Sequence, residues 1–232
     1  MSERSVHDQL EDLTRRLVNM ADDILDVMSR AFDCAGSGLE SSIIMFKRRD
    51  HEITMKEIDL EHQCLNFIVT GHPMASDLQT VATIMKTKEE LERINDMTLH
   101  LIERIIDMSP EIFESFEFRE IGGLAVTMTE KAVTAFAAKD PAIAGQVYML
   151  NEQIHSMLQK VIDTTTSLML ATTINPNQLL ASLSISRHLG RIADHASGIA
   201  RNPRFPSNDE IGTHVSTLTC NPFAESLSFS SN

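Results

Sequence analysis

Apolar residues recur at spacings of three and four positions through almost all of this 232-residue chain, and no other feature constrains the fold as strongly. That spacing puts apolar side chains on one face of an α-helix. The first segment with the pattern has its apolar positions at Leu10, Leu13, Leu17, Ala21, Ile24, Met28 and Phe32. The pattern predicts a chain built from long amphipathic helices.

Helix-breaking residues divide the chain into six predicted helices, three in each half. With only 9 Gly and 7 Pro, the chain lacks the turns of sandwiches, barrels and Gly-loop nucleotide folds. We expect Gly36 and Gly38 to end the first helix and Pro73 to open the third. Ser109-Pro110 should close the third helix, while Asp140-Pro141 and Asn175-Pro176 should begin later ones.

A short motif occurs near the end of each half. L-E-R-I-N-D at 91–96 returns as L-G-R-I-A-D at 189–194. The repeat, the helix order and the short connections predict an all-α fold of two tandem antiparallel three-helix bundles. We assign 8–110 to the first repeat and 116–202 to the second. The Ser- and Thr-rich segment 203–232 is predicted to be a disordered tail.

Charge and composition exclude several classes of protein. Acidic residues outnumber basic ones by 33 to 20, a formal charge of -13, so a dedicated nucleic-acid binder is not expected. No apolar run approaches the ~18 residues of a membrane span, and the first residues lack a secretory signal. Three cysteines without a C-x-x-C motif favour a reduced cytoplasmic location.

The sequence contains none of the short motifs that mark common catalytic sites. G-x-S-x-G, the P-loop and G-x-G-x-x-G are all missing, and no Cys/His or Ser/His pair is suggested by spacing. We therefore expect a protein that is not an enzyme.

One stripe of the third predicted helix is acidic. Glu92, Asp96 and His100 are four residues apart and share a face. If the loop at Pro73 folds the second helix back antiparallel, residues whose numbers sum to about 146 lie at one level. Asp50 should then lie opposite Asp96, and Thr54 opposite Glu92.

Glu57 and Glu61 continue the acidic face of the second helix. Hard oxygen ligands gathered in this way suit Mg, Mn, Ca or Fe. The alternative is a solvated acidic face, with Arg93 forming a simple surface ion pair with Glu92.

The second half has lost carboxylates at the corresponding place. Gly190 takes the position of Glu92, and Asp194 that of Asp96. Folding about the loop near residue 172 puts Asn151 opposite Asp194 and His155 opposite Gly190. One carboxylate remains, with a histidine and an amide nearby.

The segment 73–96 contains P-M-A-S-D-L-Q at 73–79 and L-E-R-I-N-D at 91–96. These largely match the motifs P-x-A-x-D-L-R and L-E-R-I-G-D, so the segment resembles the PhoU family of phosphate-signalling regulators. The second family signature, E-R-I-G-D-H-A-x-N-I-A, is matched by G-R-I-A-D-H-A-S-G-I-A at 190–200. The resemblance covers about residues 8 to 202.

The resemblance implies a non-enzymatic cytoplasmic protein of tandem three-helix bundles, commonly dimeric. Such proteins restrain phosphate uptake and the phosphate-starvation response, acting between the ATPase of the phosphate ABC transporter and a sensor histidine kinase. They are peripheral to the membrane at most. Their acidic motifs can hold a divalent or iron-type metal ion (Mg, Mn, Fe or Zn). Carried onto this chain, the resemblance supports Glu92 and Asp96 as metal residues, with Asp50 as a helper. Together with Glu57 of the same acidic face and Asp194 of the second half, they are the candidate metal residues.

Departures from the family signatures predict two unequal halves. Gln79, Asn95 and His100 replace the usual residues of the first signature, and Gly190, Ala193 and Gly198 depart in the second. We expect a competent first site and a weakened or altered second one. Two other functions stay open: a metal-handling bundle, and a diverged PhoU-like accessory of another phosphate carrier.

Overall fold

The computed structural model describes residues 6–35, 39–171 and 175–201, and over these ranges every regular element is a helix. The predicted all-α fold is confirmed. The glycines at 36 and 38 and the tail at 203–232 lie outside the described residues. The helices of the described ranges are α1 Val6–Asp33, α2 Leu39–Thr70, α3 Ala75–Ile106, α4 Pro110–Ser115, α5 Phe118–Ala138, α6 Pro141–Ala171 and α7 Pro176–Arg201.

The long helices form two three-helix bundles that share one apolar core. Helices α1, α2 and α3 pack together, as do α5, α6 and α7. The bundles meet where α3 packs along α7 and α1 along α5. The apolar stripes face inward, and their fully buried members include Leu17, Ile84, Leu91, Met128, Ile185 and Leu189. No described helix is long and apolar enough to cross a membrane.

The predicted caps of the second half are present. The Asp140 carboxylate accepts a hydrogen bond from the Ala142 N–H at 2.8 Å, and α6 begins at Pro141. The Asn175 side-chain oxygen accepts from the Asn177 N–H at 3.0 Å, and α7 begins at Pro176. Each pair joins an N-cap to a proline with no N–H to satisfy.

The predicted place of Pro73 in α3 was wrong, because that helix begins at Ala75. His72 takes a positive φ of 47° and turns the chain before the helix starts. Met74 is the N-cap residue, and its N–H donates to the Asp77 carboxylate at 2.9 Å. An acidic side chain in the first turn therefore fixes the start of the helix.

A short helix was missed where the sequence indicated only an end. Ser109-Pro110 begins α4, with the Ser109 hydroxyl accepting from the Ile112 N–H at 3.4 Å. Phe113 of α4 lies against the ring of Phe118, with centroids 5.8 Å apart. Ser-Pro is an N-cap signal as much as a stop, and these buried rings favour the helix.

Helix α5 crosses α1 at a glycine. A Cβ added to Gly122 would lie 2.4 Å from the ring of Phe32, so only glycine fits at this crossing. Beside it, the Arg119 guanidinium donates to the carbonyl of Phe32 at 2.6 Å and to that of Ala35 at 3.3 Å. These contacts fix the end of α1 against the second bundle.

Candidate functional site

Two pairs of carboxylates face each other across α2 and α3. Partial burial of Asp96 and the nearby negative charge of Asp50 raise the pKa of Asp96. Partial burial of Glu92, the negative charge of Glu57 and a hydrogen bond between these two side chains raise the pKa of Glu92. The raised pKa of Glu92 therefore reflects its burial and its closeness to the Glu57 carboxylate across the two helices.

Lys88 is the cation of this acidic cluster. Its side chain is only 7% exposed, and its ammonium donates to Glu57 at 2.8 Å and to Glu61 at 2.9 Å. Burial lowers the pKa of Lys88, but the two hydrogen bonds and their charges outweigh it and raise that pKa. The same hydrogen bond lowers the pKa of Glu61. Lys88 therefore stays charged and neutralises the part of the cluster formed by Glu57 and Glu61.

Asn95 contacts the acidic cluster at Asp50. Its side-chain N–H donates to the Asp50 carboxylate at 2.8 Å. Its own side-chain oxygen is buried and accepts no hydrogen bond from the described residues. An oxygen left without a partner in a side chain that is bonded to a carboxylate is a ligand that a hard cation could use.

The predicted pairing of α2 with α3 agrees with these contacts, with one shift. Asp50 lies by Asp96 as expected, whereas Glu92 pairs with Glu57, about one turn from the expected Thr54. The alternative ion pair between Arg93 and Glu92 does not form in the structure. Arg93 instead lies 3.8 Å from Glu90.

The carboxylates of the acidic cluster do not converge on a common point. Among the described residues, no group of three or more His, Cys, Asp or Glu side chains is placed to hold a metal ion. Glu57, a predicted ligand, is engaged by Lys88 and by Glu92. The metal assignment to Glu92, Asp96, Asp50 and Glu57 thus stays a prediction.

The second half holds different chemistry at the matching place. The His155 ring nitrogen Nε2 lies 2.9 Å from the Asp194 carboxylate on the exposed surface. Gly190 faces His155 as predicted, since a Cβ there would lie 3.5 Å from its ring. The side-chain oxygen of Asn151 is buried and has no hydrogen-bond partner among the described residues. Asp194 is thus paired with a histidine. It lies in the second half of the chain, whereas the other predicted metal residues lie in the first.

One polar contact between the bundles was missed by the sequence analysis. The His195 ring nitrogen Nδ1 lies 2.7 Å from the Glu90 carboxylate, and both side chains are largely buried. Gly198, one turn further along α7, gives that carboxylate room, because a Cβ would lie 3.1 Å from its carbon. The contact joins α3 of the first bundle to α7 of the second. A contact between bundles cannot be predicted from how helices pack within one bundle.

Fold and site together define a duplicated helical protein of two three-helix bundles, with an acidic cluster between α2 and α3 of the first bundle. The sequence model of the PhoU domain matches this chain twice, at residues 12–105 and 118–202. The two matches cover most of the chain and correspond to the two bundles. The chain belongs to the PhoU family.

Individual relatives agree with that assignment. A Deinococcus radiodurans protein named "Phosphate-specific transport system accessory protein PhoU homolog" is 24% identical over 206 residues, covering 86% of this chain and 97% of that protein. A Pseudomonas aeruginosa protein of the same name is 28% identical over 200 residues, covering 83% and 81%.

Two solved structures share the fold. The crystal structure of PhoU from Pseudomonas aeruginosa matches with a TM-score of 0.78 at 24% identity, covering 85% of this chain and 96% of that one. The phosphate transport system regulatory protein PhoU from Streptococcus pneumoniae also gives 0.78, at 21% identity, covering 86% and 95%.

Proposed function

We propose that this protein is a non-catalytic accessory of a phosphate transport system that restrains phosphate uptake and phosphate-starvation signalling. The observation that carries the proposal is the double PhoU-domain match over both bundles. The names of the relatives from Deinococcus and Pseudomonas support the transport role. The partners we propose are the transporter ATPase and a sensor histidine kinase, met at the cytoplasmic face of the membrane by a homodimer of this chain.

An exposed apolar stripe on α2 supports partner binding. Ile58 and Leu65 are spaced two helical turns apart and are 44% and 45% exposed, and Val69 near the helix end is 78% exposed. Apolar residues grouped on one outer face favour an interaction surface. We place the partner contact there, with the acidic residues around it choosing a partner of opposite charge.

Gene disruption with complementation tests the regulatory role. Cells lacking the gene are grown in high phosphate, and a phosphate-repressible reporter is measured. The proposal expects high reporter expression, restored to a low level by the wild-type gene. Low expression in the disrupted strain would contradict the regulatory role.

Surface variants test the α2 face in the same assay. Ile58→Asp with Leu65→Asp should leave folding intact and fail to restore repression. Asn66→Asp with Thr70→Asp adds the same charge to exposed polar positions of α2 and is the matched control. Equal repression by both double variants would contradict a partner contact on this face.

We further propose that the acidic cluster binds a divalent or iron-type cation as part of this function. The unpartnered Asn95 oxygen and the raised pKa values of Glu92 and Asp96 support it, because a cation would offset their mutual repulsion. Glu92, Asp96 and Asp50 would hold the ion, which supplies positive charge to the surface. Glu57 would join when Lys88 releases it.

A metal-handling protein is the second candidate function, favoured by the same cluster. It would show high metal content and no effect of gene disruption on the phosphate reporter. A diverged accessory of another phosphate carrier is the third. That function would leave the reporter unchanged while altering phosphate uptake.

A further inference from the structure

A groove of basic character runs between the C-terminal half of α3 and α7. The two helices are antiparallel, since Glu90 meets His195 and Asp107 meets Gln178. His100 and Arg104 lie one turn apart on α3, and His188 and Arg191 nearly one turn apart on α7. These four side chains line one cavity of about 820 Å³.

Positive charge converges in this groove although the chain carries a net charge of -13. Arg191 makes no hydrogen bond or ion pair with any residue in the described ranges. Within the described part of the chain, the ion pair of Arg104 is a long contact of 3.9 Å with Asp107. The acidic groups nearby are Asp107 and Glu103, the latter 3.8 Å from the His100 ring. Both arginines are therefore available to a ligand.

The centre of the groove is a pair of stacked histidines. The rings of His100 and His188 lie 5.7 Å apart at 25° to each other. Burial, followed by the charges of His100, Arg191 and Arg104, lowers the pKa of His188. The His188 nitrogen Nδ1 is buried and has no hydrogen-bond partner among the described residues.

One end of the groove is held rigid by a polar clamp. The Gln178 amide donates to the Asp107 carbonyl at 2.7 Å and accepts from the Ser109 N–H at 2.8 Å. The clamp ties the start of α7 to the end of α3. These two bonds hold the helices together at this end of the groove, which reduces the ordering that binding requires.

We propose that this groove binds a molecule that carries phosphate groups, with Arg104 and Arg191 as the ligands of the phosphate oxygens. A planar guanidinium can donate two parallel hydrogen bonds to a phosphate. Two arginines in one cavity therefore suit a ligand that carries phosphate oxygens. The cavity is in the size range of sites for whole organic ligands, so it suits a molecule of nucleotide size better than inorganic phosphate. The groove is separate from the acidic face of α2 and α3, and the inference does not rest on the proposed function.

Calorimetric titration of the full chain with ATP tests the site, with EDTA present so that the acidic cluster cannot bind metal. Arg104→Gln with Arg191→Gln should weaken ATP binding by at least about tenfold, because each lost charge-assisted bond has roughly that effect. Arg30→Gln with Arg48→Gln removes the same charge from exposed positions on α1 and α2 and should bind like the wild type. Circular dichroism checks that both variants are folded.

Vesicles distinguish a soluble ligand from a lipid headgroup. Co-sedimentation with phosphatidylglycerol vesicles is measured for the same three proteins. Loss of ATP binding in the groove variant alone supports a soluble phosphorylated ligand, and loss of vesicle binding alone supports a lipid phosphate. If the wild type binds neither, or if both double variants lose binding equally, the site assignment is overturned.

Discussion

Replacing Lys88 with methionine removes the buried cation of the acidic cluster and keeps most of the apolar stem. Lys88 donates to Glu57 at 2.8 Å and to Glu61 at 2.9 Å, so the substitution deletes two charge-assisted hydrogen bonds. It also leaves Glu57, which lies next to Glu92, without its neutralising neighbour. We expect a clear loss of stability in metal-free protein.

The loss in free energy of unfolding can be estimated from the exposed fractions of Lys88 and of the two carboxylates that it contacts. A hydrogen bond to a charged group contributes about 1.5–3 kcal/mol. The contact with Glu57 keeps that full contribution, because the Lys88 and Glu57 side chains are 7% and 15% exposed. Water screens the contact with Glu61, whose side chain is 45% exposed, so that contact adds nothing to the estimate. The substitution should therefore cost about 1.5–3 kcal/mol, or about 3–12 °C in the unfolding midpoint of a chain this size.

Thermal unfolding in EDTA, followed by circular dichroism, measures the effect. Lys86→Met is the matched control, since Lys86 is an exposed residue of the same helix, and it should change the midpoint little. A Lys88→Met midpoint within about 1 °C of the Lys86→Met midpoint would refute the role of Lys88 as the structural cation.

Two further predictions concern packing and cysteine reactivity. Gly122→Ala should lower the free energy of unfolding by about 1–3 kcal/mol, because its Cβ would meet the Phe32 ring at 2.4 Å. Gly123→Ala, with nothing within 4 Å, should be neutral or slightly stabilising in urea unfolding, and equal effects of the two would contradict this packing. Burial raises the pKa of the Cys64 thiol to about 11, so at pH 8 iodoacetamide should label the partly exposed Cys34 faster. Site-resolved mass spectrometry measures both rates, and faster labelling of Cys64 would contradict its burial.

The parts of the fold that depend on local signals could be predicted from the sequence. Asp140-Pro141 and Asn175-Pro176 carry their cap and their proline together, and both begin helices as expected. Ser109-Pro110 has the same form, but its helix has only six residues, too few for a hydrophobic period to reveal. The prediction that Pro73 opens α3 was wrong, because Asp77 fixes the start of the helix at Ala75, two residues after Pro73.

The site was predictable only where contacts follow from one hairpin. The antiparallel register of α2 and α3 placed Asp50 by Asp96 from residue numbers alone. Lys88 lies on the same stripe as Glu92, four residues before it, and that spacing could have revealed it. The pairing of His195 with Glu90 depends on how two bundles pack, which no local pattern encodes.

The metal hypothesis is that the acidic cluster of the first bundle binds a metal ion and that the altered place in the second bundle binds it weakly or not at all. Elemental analysis of the purified protein, repeated for Glu92→Ala with Asp96→Ala and for Asp194→Ala, tests it most directly. Because protons compete for carboxylates with raised pKa values, the metal content should also fall as the pH is lowered through those values. We predict bound metal in the wild type and in Asp194→Ala and its loss from the double variant. Unchanged metal content in the double variant would contradict the claim.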